Sequence, residues 1–439
     1  MLTMFRALRR HPVGFSLRAP ADVRQLTVDV LANTALYIRG KASNVKRAIV
    51  LPHFDLVKIV NNIPEIEHHV RLRGGTLDLA PLRDAARSYT VIRRELARLE
   101  QEIGILTHQQ RKKPSEIVEG QIRLLAEAEK KAKKDFYKID AICAPLLLQI
   151  PNTPLCKGIK PVAHLCRTYV PPRKFAFKPK NHVELGGSKL QFMNQTLCYL
   201  LEDLAGLEQK ICSLFVDKMD ASGRIPVSGP DFVLDTIVEG AATDNSIFVE
   251  EQETGGHRMH LAGGSSLESF CAQLMRREIS VATMRQYSSG RFYREGSVDG
   301  GLYTLSQSTR VAAFTGSTKE VLSDVEELLK LLIELYETLD VPFRLRLVGP
   351  PELSFVEQLR IDLDVWSPAE EQWKVVAHVS SHGQFLSSRL HMVSNKEPMF
   401  TMFAVCADAQ RIVALLLENH QREDGSYALP AVLSSGLSP

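Results

Sequence analysis

Apolar residues recur every three or four positions along two neighbouring segments of the chain. The first series runs from Leu82 to Leu106 and the second from Ile117 to about Ile142. This spacing is typical of one face of a helix with a coiled-coil period. Pro114 and Ser115, between the two series, have the composition of a helix stop and a new N-cap. We therefore expect two antiparallel helices that form a projecting hairpin, called the arm below.

The pattern changes after the arm. Pro- and Gly-rich sequence from Pro145 to Pro179 interrupts the helical spacing and predicts a linker. A predominantly helical stretch follows over Leu190–Met219, and strong helices are predicted at Val321–Leu339 and Ala407–Asn419. The runs RLRLVG, LRIDLDVW and WKVVAHVS alternate as strands do. This order favours an α+β fold with a mostly antiparallel sheet and flanking helices over a repeating βαβ unit.

The first twenty residues differ in composition from the rest. They contain four arginines, and no acidic residue precedes Asp22. An arginine-rich, acid-free amphipathic start is typical of a mitochondrial transit peptide, with a solvated basic tail as the alternative. We therefore predict import into the mitochondrial matrix and four segments: a transit peptide at 1–20, an N-terminal domain with the arm at 21–145, a linker at 146–180 and a body at 181–439.

Composition narrows the function less than the pattern does. The chain has 439 residues, of which 44% are hydrophobic and 24% charged, as in ordinary globular proteins. A net charge of +3 does not by itself indicate nucleic-acid binding. No apolar run is long enough to predict insertion into a membrane. The seven cysteines include no CxxC pair, which argues against a disulfide framework or zinc site and predicts buried thiols in a reducing compartment.

Basic residues are concentrated on the predicted arm. A salt-bridged, solvated helix face is one interpretation, because glutamates are interspersed among them. The sharper interpretation is contact with an RNA backbone, which would make binding salt-dependent. The candidate RNA-binding residues are Arg94, Arg98, Arg111, Lys112, Lys113, Lys130, Lys131 and Lys134.

No catalytic set can be assigned from the residues alone. Neither a Walker A sequence nor a GxGxxG fingerprint occurs, and the GGSS run at 263–266 is better explained as a plain turn. His378 and His382 lie four apart on a predicted strand, which separates them by about 13 Å. One zinc ion cannot bridge that distance, so we predict no metal site.

Five segments of the chain resemble seryl-tRNA synthetases of the bacterial and mitochondrial type, over about residues 50 to 433. They are FDLVKIVNNIPEIEHHVRLRGG with the arm, LLLQIPNTP, YLLEDLAGLEQKICSLFVDKM with IPVSGPDF, LRIDLDVWSP, and LLLENHQREDGSYALPAVL. The resemblance implies a class II aminoacyl-tRNA synthetase body preceded by a tRNA-binding arm. It also implies dimerisation through motif 1, near Pro230, and activation of serine by ATP.

The resemblance places the family's functional positions in this chain, where many of them are altered. In FYREGSVDGGLY, Tyr293 replaces the phosphate-binding arginine, and Arg294 is one residue off and should point to the opposite face. Ala312 replaces the carboxylate that holds the serine ammonium, and His378 replaces a metal- and ATP-binding glutamate. The altered positions are Tyr293, Thr304, Ser306, Ala312, His378, Phe403 and Ala404. The residues of a vestigial ATP and serine pocket are Glu268, Glu295, Gln307, Arg310, Arg389 and Arg411.

Losing one preorganised transition-state donor costs about 3 kcal/mol, so several losses together predict a protein that is not an enzyme. The chain resembles an insect mitochondrial branch of the family that lacks aminoacylation activity. That resemblance implies a structural or regulatory subunit that dimerises with the authentic mitochondrial seryl-tRNA synthetase and associates with tRNA or other RNA. It further implies a matrix Lon-type protease as a partner, and no cofactor beyond weak residual ATP binding.

Two alternatives stay open. One is a divergent but active mitochondrial seryl-tRNA synthetase in which Arg294, Arg310 and Arg389 replace the lost cations. The other is an independent RNA-binding protein that acts through the arm.

Overall fold

The computed structural model describes residues 56–155, 168–242, 258–297 and 300–434. The predicted transit peptide lies outside these residues. Within them, the chain divides into an N-terminal unit from Val57 to Ile150 and a C-terminal unit that begins at Pro151.

The N-terminal unit contains the predicted helical hairpin, which is confirmed. Its helices are α1 (Leu56–Asn61), α2 (Ile63–Leu72), α3 (Ala80–Lys112) and α4 (Glu116–Leu148). The rings of Tyr89 on α3 and Phe136 on α4 lie 5.0 Å apart, and Leu82 and Leu99 are buried. The periodic apolar face is thus the contact between α3 and α4.

Two details of the arm differ from expectation. Ser115 occupies the N-cap position of α4, but its side chain makes no capping bond, and its N–H donates to Gln110 Oε1 at 3.0 Å. Pro145 does not end the helix, which continues to Leu148. Proline removes a backbone donor but leaves the next residues free to complete the last turn, where Leu146 and Leu147 are buried.

A seven-stranded sheet forms the C-terminal unit, in the order β3-β6-β7-β13-β10-β9-β8. All neighbours in it are antiparallel except β3 and β6. The predicted α+β class is confirmed. The strands are β1 (Leu190–Asn194), β2 (Leu197–Leu200), β3 (Ile225–Pro226), β4 (Phe232–Leu234), β5 (Met259–Leu261), β6 (Thr283–Tyr293), β7 (Gln307–Ser317), β8 (Phe343–Leu347), β9 (Leu359–Ser367), β10 (Gln372–Gly383), β11 (Val393–Ser394), β12 (Glu397–Pro398) and β13 (Phe400–Asp408).

The stretch Leu190–Met219 is not helical throughout. Its first part forms the hairpin of β1 and β2, where Asn194 Oδ1 accepts from the Thr196 N–H at 2.8 Å in the turn. Only the second part belongs to a helix. The helices of this unit are α5 (His182–Gly186), α6 (Glu202–Ala221), α7 (Asp235–Ala241), α8 (Leu267–Leu274), α9 (Leu322–Thr338), α10 (Phe385–Leu390), α11 (Ala409–Asn419) and α12 (Ala431–Ser434).

The two faces of the sheet pack against different helices. Residues of α6, α9 and α11 share a core with Val311 and Ala313 of β7. Residues of α7, α8 and α10 share a second core with Ala312 and Phe314. Because successive strand residues point to opposite faces, β7 contributes to both layers. The positions that the resemblance assigns to serine and ATP lie largely on the second face.

Candidate functional site

Strand β7 carries a polar end and an apolar end on the second face of the sheet. Ser308 and Arg310 mark the polar end, and Ala312 and Phe314 mark the apolar end. Arg310 pairs in register with Gly290 of β6 and with Asp408 of β13. The two neighbouring strands therefore complete each end of the site.

A β-bulge decides which residue of β13 faces Arg310. The register shifts between Val405 and Ala407, so Val405 pairs with Ala312, whereas Asp408 pairs with Arg310. The extra residue reverses the alternation, and Asp408 joins the face that Val405 occupies. Without the bulge, Asp408 would point to the opposite face.

Three arginine side chains surround the Asp408 carboxylate. Its Oδ2 atom accepts from Arg310 Nε at 3.1 Å, from Arg294 Nη1 at 3.3 Å and from Ser308 Oγ at 3.2 Å. Arg411 Nε lies 3.8 Å from the same oxygen. The Asp408 side chain is 1% exposed, whereas those of Arg294, Arg310 and Arg411 are 17%, 11% and 24% exposed. We call these four residues, Asp408 and the three arginines, the Asp408 cluster.

Charge in this cluster fixes the protonation of Asp408. Burial on its own raises the pKa of the carboxyl group, but the three guanidinium groups outweigh burial and hold the pKa below its ordinary value. Burial lowers the pKa of the Arg310 guanidinium, which nevertheless stays protonated at neutral pH. The cluster thus holds three positive charges and one negative charge.

Arg411, at the position expected to stack on adenine, makes two hydrogen bonds within the chain. Its Nε donates to the Tyr303 carbonyl at 3.0 Å and its Nη1 to the Val375 carbonyl at 2.7 Å. Arg310 stacks on the ring of Phe292, with its guanidinium carbon 3.5 Å from the ring centre. Both arginines are therefore engaged by neighbouring residues.

The segment FYREGSVDGGLY sends its central residues in different directions. The Tyr293 hydroxyl donates to Asp231 at 3.4 Å, whereas Arg294 Nε donates to the Leu305 carbonyl at 2.8 Å and its Nη1 reaches Asp408. Glu295 is exposed. The prediction that Arg294 points away from the site is therefore wrong. Arg294 follows Tyr293, the last residue of β6, so strand alternation no longer sets its direction, and it joins Arg310 and Arg411 at Asp408.

Sequence reasoning missed the residues that hold the glycine turn of this segment. His182 Nε2 accepts from the Leu302 N–H at 3.0 Å, and its Nδ1 lies 2.7 Å from Glu418 Oε1. Gly301 has a φ of +53°, and a Cβ there would lie 2.4 Å from His182 Nε2. His182 and Glu418 are 236 residues apart, so no local pattern could indicate the pair.

Aromatic rings fill the apolar end, where the resemblance places the carboxylate that binds the serine ammonium and the altered positions Phe403 and Ala404. The ring of Phe270 on α8 stacks on Phe314 at 5.5 Å and meets Phe403 edge to face at 6.2 Å. Ala312 is 0% exposed in the same cluster. Ala404 belongs to the core on the other face of the sheet. We call Phe270, Ala312, Phe314 and Phe403 the phenylalanine cluster.

The other predicted pocket residues lie around these two clusters. Glu268 is buried in the first turn of α8. Arg389 is buried on α10, with its guanidinium 4.2 Å from the ring centre of Phe385 and 5.3 Å from that of Phe355. Thr304 Oγ1 donates to the Ser297 carbonyl at 2.7 Å, and the Ser306 N–H donates to the Thr196 carbonyl at 2.9 Å. Gln307 begins β7 opposite Tyr293.

The residues at the expected metal position do not fit magnesium. Burial and the nearby charges of Arg360 and Arg310 hold the pKa of His378 well below its ordinary value. Burial lowers the pKa of His382 to about 3. A neutral imidazole among arginines lacks the oxygen ligands that Mg²⁺ prefers. Within the described ranges, no three His, Cys, Asp or Glu side chains are grouped so that they could bind a metal.

The candidate RNA-binding residues of the arm fall into two groups. Arg98 is held by Glu95 at 2.9 Å and lies 3.8 Å from Glu102, as the salt-bridged interpretation expects. The remaining seven are exposed, as Arg98 is, and lie at the tip and along both helices: Arg94, Arg111, Lys112, Lys113, Lys130, Lys131 and Lys134.

The cysteines of the described residues are free thiols. Cys143, Cys271 and Cys406 are buried, but Cys198 and Cys212 are only partly so, which corrects the prediction that all are buried. Burial raises the pKa of the Cys143 thiol to about 12. Cys156 and Cys166 lie outside the described residues. None of the described helices is both long and apolar enough to span a bilayer.

Comparison with known proteins supports the resemblance seen in the sequence. No protein-family model matches the chain. It is 24% identical to the serine–tRNA synthetase-like protein Slimp of Drosophila melanogaster, over 91% of each chain. It is 26% identical to the mitochondrial serine–tRNA ligase of Mus musculus, over 64% of this chain and 59% of that one.

The solved structures agree on the fold. The seryl-tRNA synthetase of Pyrococcus horikoshii in complex with ATP superposes with a TM-score of 0.71 at 17% identity, over 86% of this chain and 96% of that chain. The predicted resemblance to a seryl-tRNA synthetase-like protein is confirmed, as is the class II synthetase fold.

Proposed function

We propose that this chain is a non-catalytic, seryl-tRNA synthetase-like subunit of the mitochondrial matrix. It dimerises with the authentic mitochondrial seryl-tRNA synthetase and associates with RNA through its arm. The phenylalanine cluster is the observation that carries the loss of catalysis. A serine ammonium needs a carboxylate or other oxygen partners, and the rings of Phe270 and Phe403 around Ala312 provide none.

Serine-dependent exchange between ATP and pyrophosphate tests this loss. We expect the purified chain to give no exchange above a protein-free blank, because the ammonium partner and the metal-binding carboxylate are both replaced. The authentic mitochondrial enzyme assayed in parallel is the positive control. Serine-dependent exchange by this chain alone would overturn the proposal.

The open edge of the sheet supports the pairing. Strand β3 lies at one edge, where Ile225 is 57% exposed, and nearby Phe232 is 49% exposed. An edge strand with apolar side chains is suited to contact with another subunit. We expect Ile225→Lys to weaken association with the authentic synthetase at least tenfold.

A matched control lies at the opposite edge of the same sheet. Leu347 on β8 is 40% exposed, and Leu347→Lys should leave association unchanged. Light scattering after size-exclusion chromatography of the mixed subunits measures the effect. Equal weakening in both variants, or a chain that stays monomeric beside the authentic synthetase, would contradict the pairing.

The exposed basic residues at the tip of the arm support RNA association. Replacing Lys112 and Lys113 with glutamine should weaken binding to mitochondrial tRNA. It should also reduce the salt slope, which is the slope of the logarithm of the binding constant against the logarithm of the salt concentration, by nearly one for each phosphate that is no longer neutralised. The same replacements at Lys319 and Lys330, exposed lysines of the body, are the control. Unchanged affinity and salt slope in the arm variant would count against the arm as the RNA site.

The predicted transit peptide and the similarity to a mitochondrial ligase support the localisation. Imaging of the tagged full chain tests it, and a chain without residues 1–20 should stay outside the matrix. A matrix Lon-type protease as a partner stays a prediction, which co-purification from isolated mitochondria would test.

A divergent but active synthetase is the second candidate function. The observation in its favour is the convergence of Arg294 with Arg310 and Arg411, which leaves three cations on the second face of the sheet. Arg389 does not support it, because its guanidinium packs between two phenylalanine rings. The exchange assay distinguishes the two functions directly.

A further inference from the structure

The arginines of the Asp408 cluster already have an anionic partner within the chain. Three guanidinium groups point at one carboxylate oxygen, and Ser308 donates to the same oxygen. Among the residues that the structure describes, the buried atoms Asp408 Oδ1 and Arg294 Nη2 have no hydrogen-bond partner of their own. The Oδ2 atom of Asp408 therefore has several donors, whereas Asp408 Oδ1 and Arg294 Nη2 keep unused hydrogen-bonding capacity.

Carboxylate and phosphate oxygens are interchangeable partners for arginine. Both accept short, charge-assisted hydrogen bonds from the planar guanidinium fork. A carboxylate that belongs to the chain competes at a high effective concentration, which an incoming phosphate must overcome. The carboxylate of the chain also reaches the arginines without a binding step. A phosphate group that reached these arginines would have to displace Asp408 or place its charge beside that carboxylate.

We propose that Asp408 acts as a built-in counter-ion that occupies the arginine cluster in place of a ligand phosphate and suppresses polyphosphate binding. The bulge of β13 places Asp408 in this position, because it turns the Asp408 side chain toward Arg310. Phe292 stacks on the face of the Arg310 guanidinium. This inference deepens the proposed non-catalytic function and rests on it.

Inorganic pyrophosphate, which carries no adenine or serine, is the probe that tests the inference. Asp408→Asn removes the negative charge and keeps nearly the same shape. By titration calorimetry we expect this variant to bind pyrophosphate at least tenfold more tightly than the unmodified chain. The double variant Asp408→Asn with Arg310→Gln should lose most of that gain, because one of the three cations is then absent.

A matched control excludes a general effect of removing a buried aspartate. Asp364 on β9 is 2% exposed and pairs with Arg344 at 2.9 Å and Arg346 at 3.6 Å. Asp364→Asn should not increase pyrophosphate affinity, since Arg346 keeps the carboxylate of Asp362 as an anionic partner and only Arg344, which lies over the Trp373 ring, loses its carboxylate. A gain of equal size in this variant would overturn the inference.

The outcome can be read even if Asp408→Asn folds poorly. Ser308→Ala removes a single hydrogen bond to Asp408 Oδ2 and should give a smaller gain, roughly threefold. A folded Asp408→Asn variant that binds pyrophosphate no more tightly than the unmodified chain overturns the inference. Serine-dependent exchange by the unmodified chain would instead overturn the proposed function, so the two failures are distinguishable.

Discussion

The two ends of strand β7 are filled in two different ways. At the polar end, Arg310 keeps its charge and meets Asp408, an anion supplied by the chain itself. At the apolar end, Ala312 carries no charge, and the rings of Phe270 and Phe403 fill the space. A step of two positions along β7, from Arg310 to Ala312, thus leads from an ion network to a hydrophobic core.

This difference indicates at which end of the strand a single substitution can make polar groups available to a ligand. An ion network with an internal partner keeps its donors in position, so removing one charge could expose them to a ligand. A packed aromatic cluster keeps no polar group, and restoring one residue would bury an unpaired charge. We therefore expect the polar end to tolerate change and the apolar end to resist it.

Restoring the carboxylate at the apolar end should have the largest effect. Ala312→Glu places an unpaired carboxylate in the phenylalanine cluster and should reduce the free energy of unfolding by about 4 kcal/mol at pH 7. Ala312→Gln adds the same bulk without charge, so the difference between the variants isolates the charge. Urea denaturation measures both. Equal decreases would show that the apolar end resists size rather than charge.

Truncating a ring of the phenylalanine cluster should have the next largest effect. Phe270 is 2% exposed, and Phe270→Ala should destabilise the fold by about 3 to 4 kcal/mol because it leaves a cavity. Phe232→Ala, at a residue that is 49% exposed, should cost less than about 1 kcal/mol in the isolated chain. Urea denaturation of the two variants measures the difference. If the two costs were similar, the rings would not be tightly packed.

The polar end should depend on pH in a way that the apolar end does not. The folded-state pKa of Asp408 is lowered, so its contribution is present above the unfolded value of about 3.9 and is lost as pH falls through the folded value. Asp408→Asn should be less stable than the unmodified chain by about 2 kcal/mol at pH 7. The gap, measured by urea denaturation across pH, should narrow below about pH 4. A gap independent of pH would mean that the Asp408 charge does not stabilise the fold.

An exposed ion pair near the same strands should matter least. Arg291 lies 3.8 Å from Glu208, and its side chain is 46% exposed. Arg291→Gln should change the free energy of unfolding by less than about 0.5 kcal/mol, because solvent screens the pair. Thermal unfolding at low and high salt measures it. A destabilisation comparable with that of Asp408→Asn would remove the distinction between buried and exposed charges.

Much of the fold follows from local pattern. The spacing of Leu82 and Leu99 predicts the arm, and the alternation in LRIDLDVW predicts β9. Local pattern failed where neighbouring elements decided the outcome. Pro145 stays helical beside buried Leu146 and Leu147, and Leu190–Leu200 forms a hairpin where a helical stretch was expected.

Most residues of the candidate site could be predicted from the sequence, because the resemblance identifies them position by position. The apolar character of Ala312 and Phe403 is visible without coordinates. What fills the space between them is not, because Phe270 belongs to a helix more than one hundred residues before Phe403. His182 and Glu418 left no local signal for the same reason.

By itself, the sequence determined the arm, the class of the body and which residues stand at the positions that the resemblance assigns to serine and ATP. Only the tertiary structure decided what those residues do together. Asp408 is 98 residues from Arg310, and simple alternation from Val405 would turn it to the wrong face. The bulge of β13 reverses that alternation, which is a property of strand pairing and not of composition.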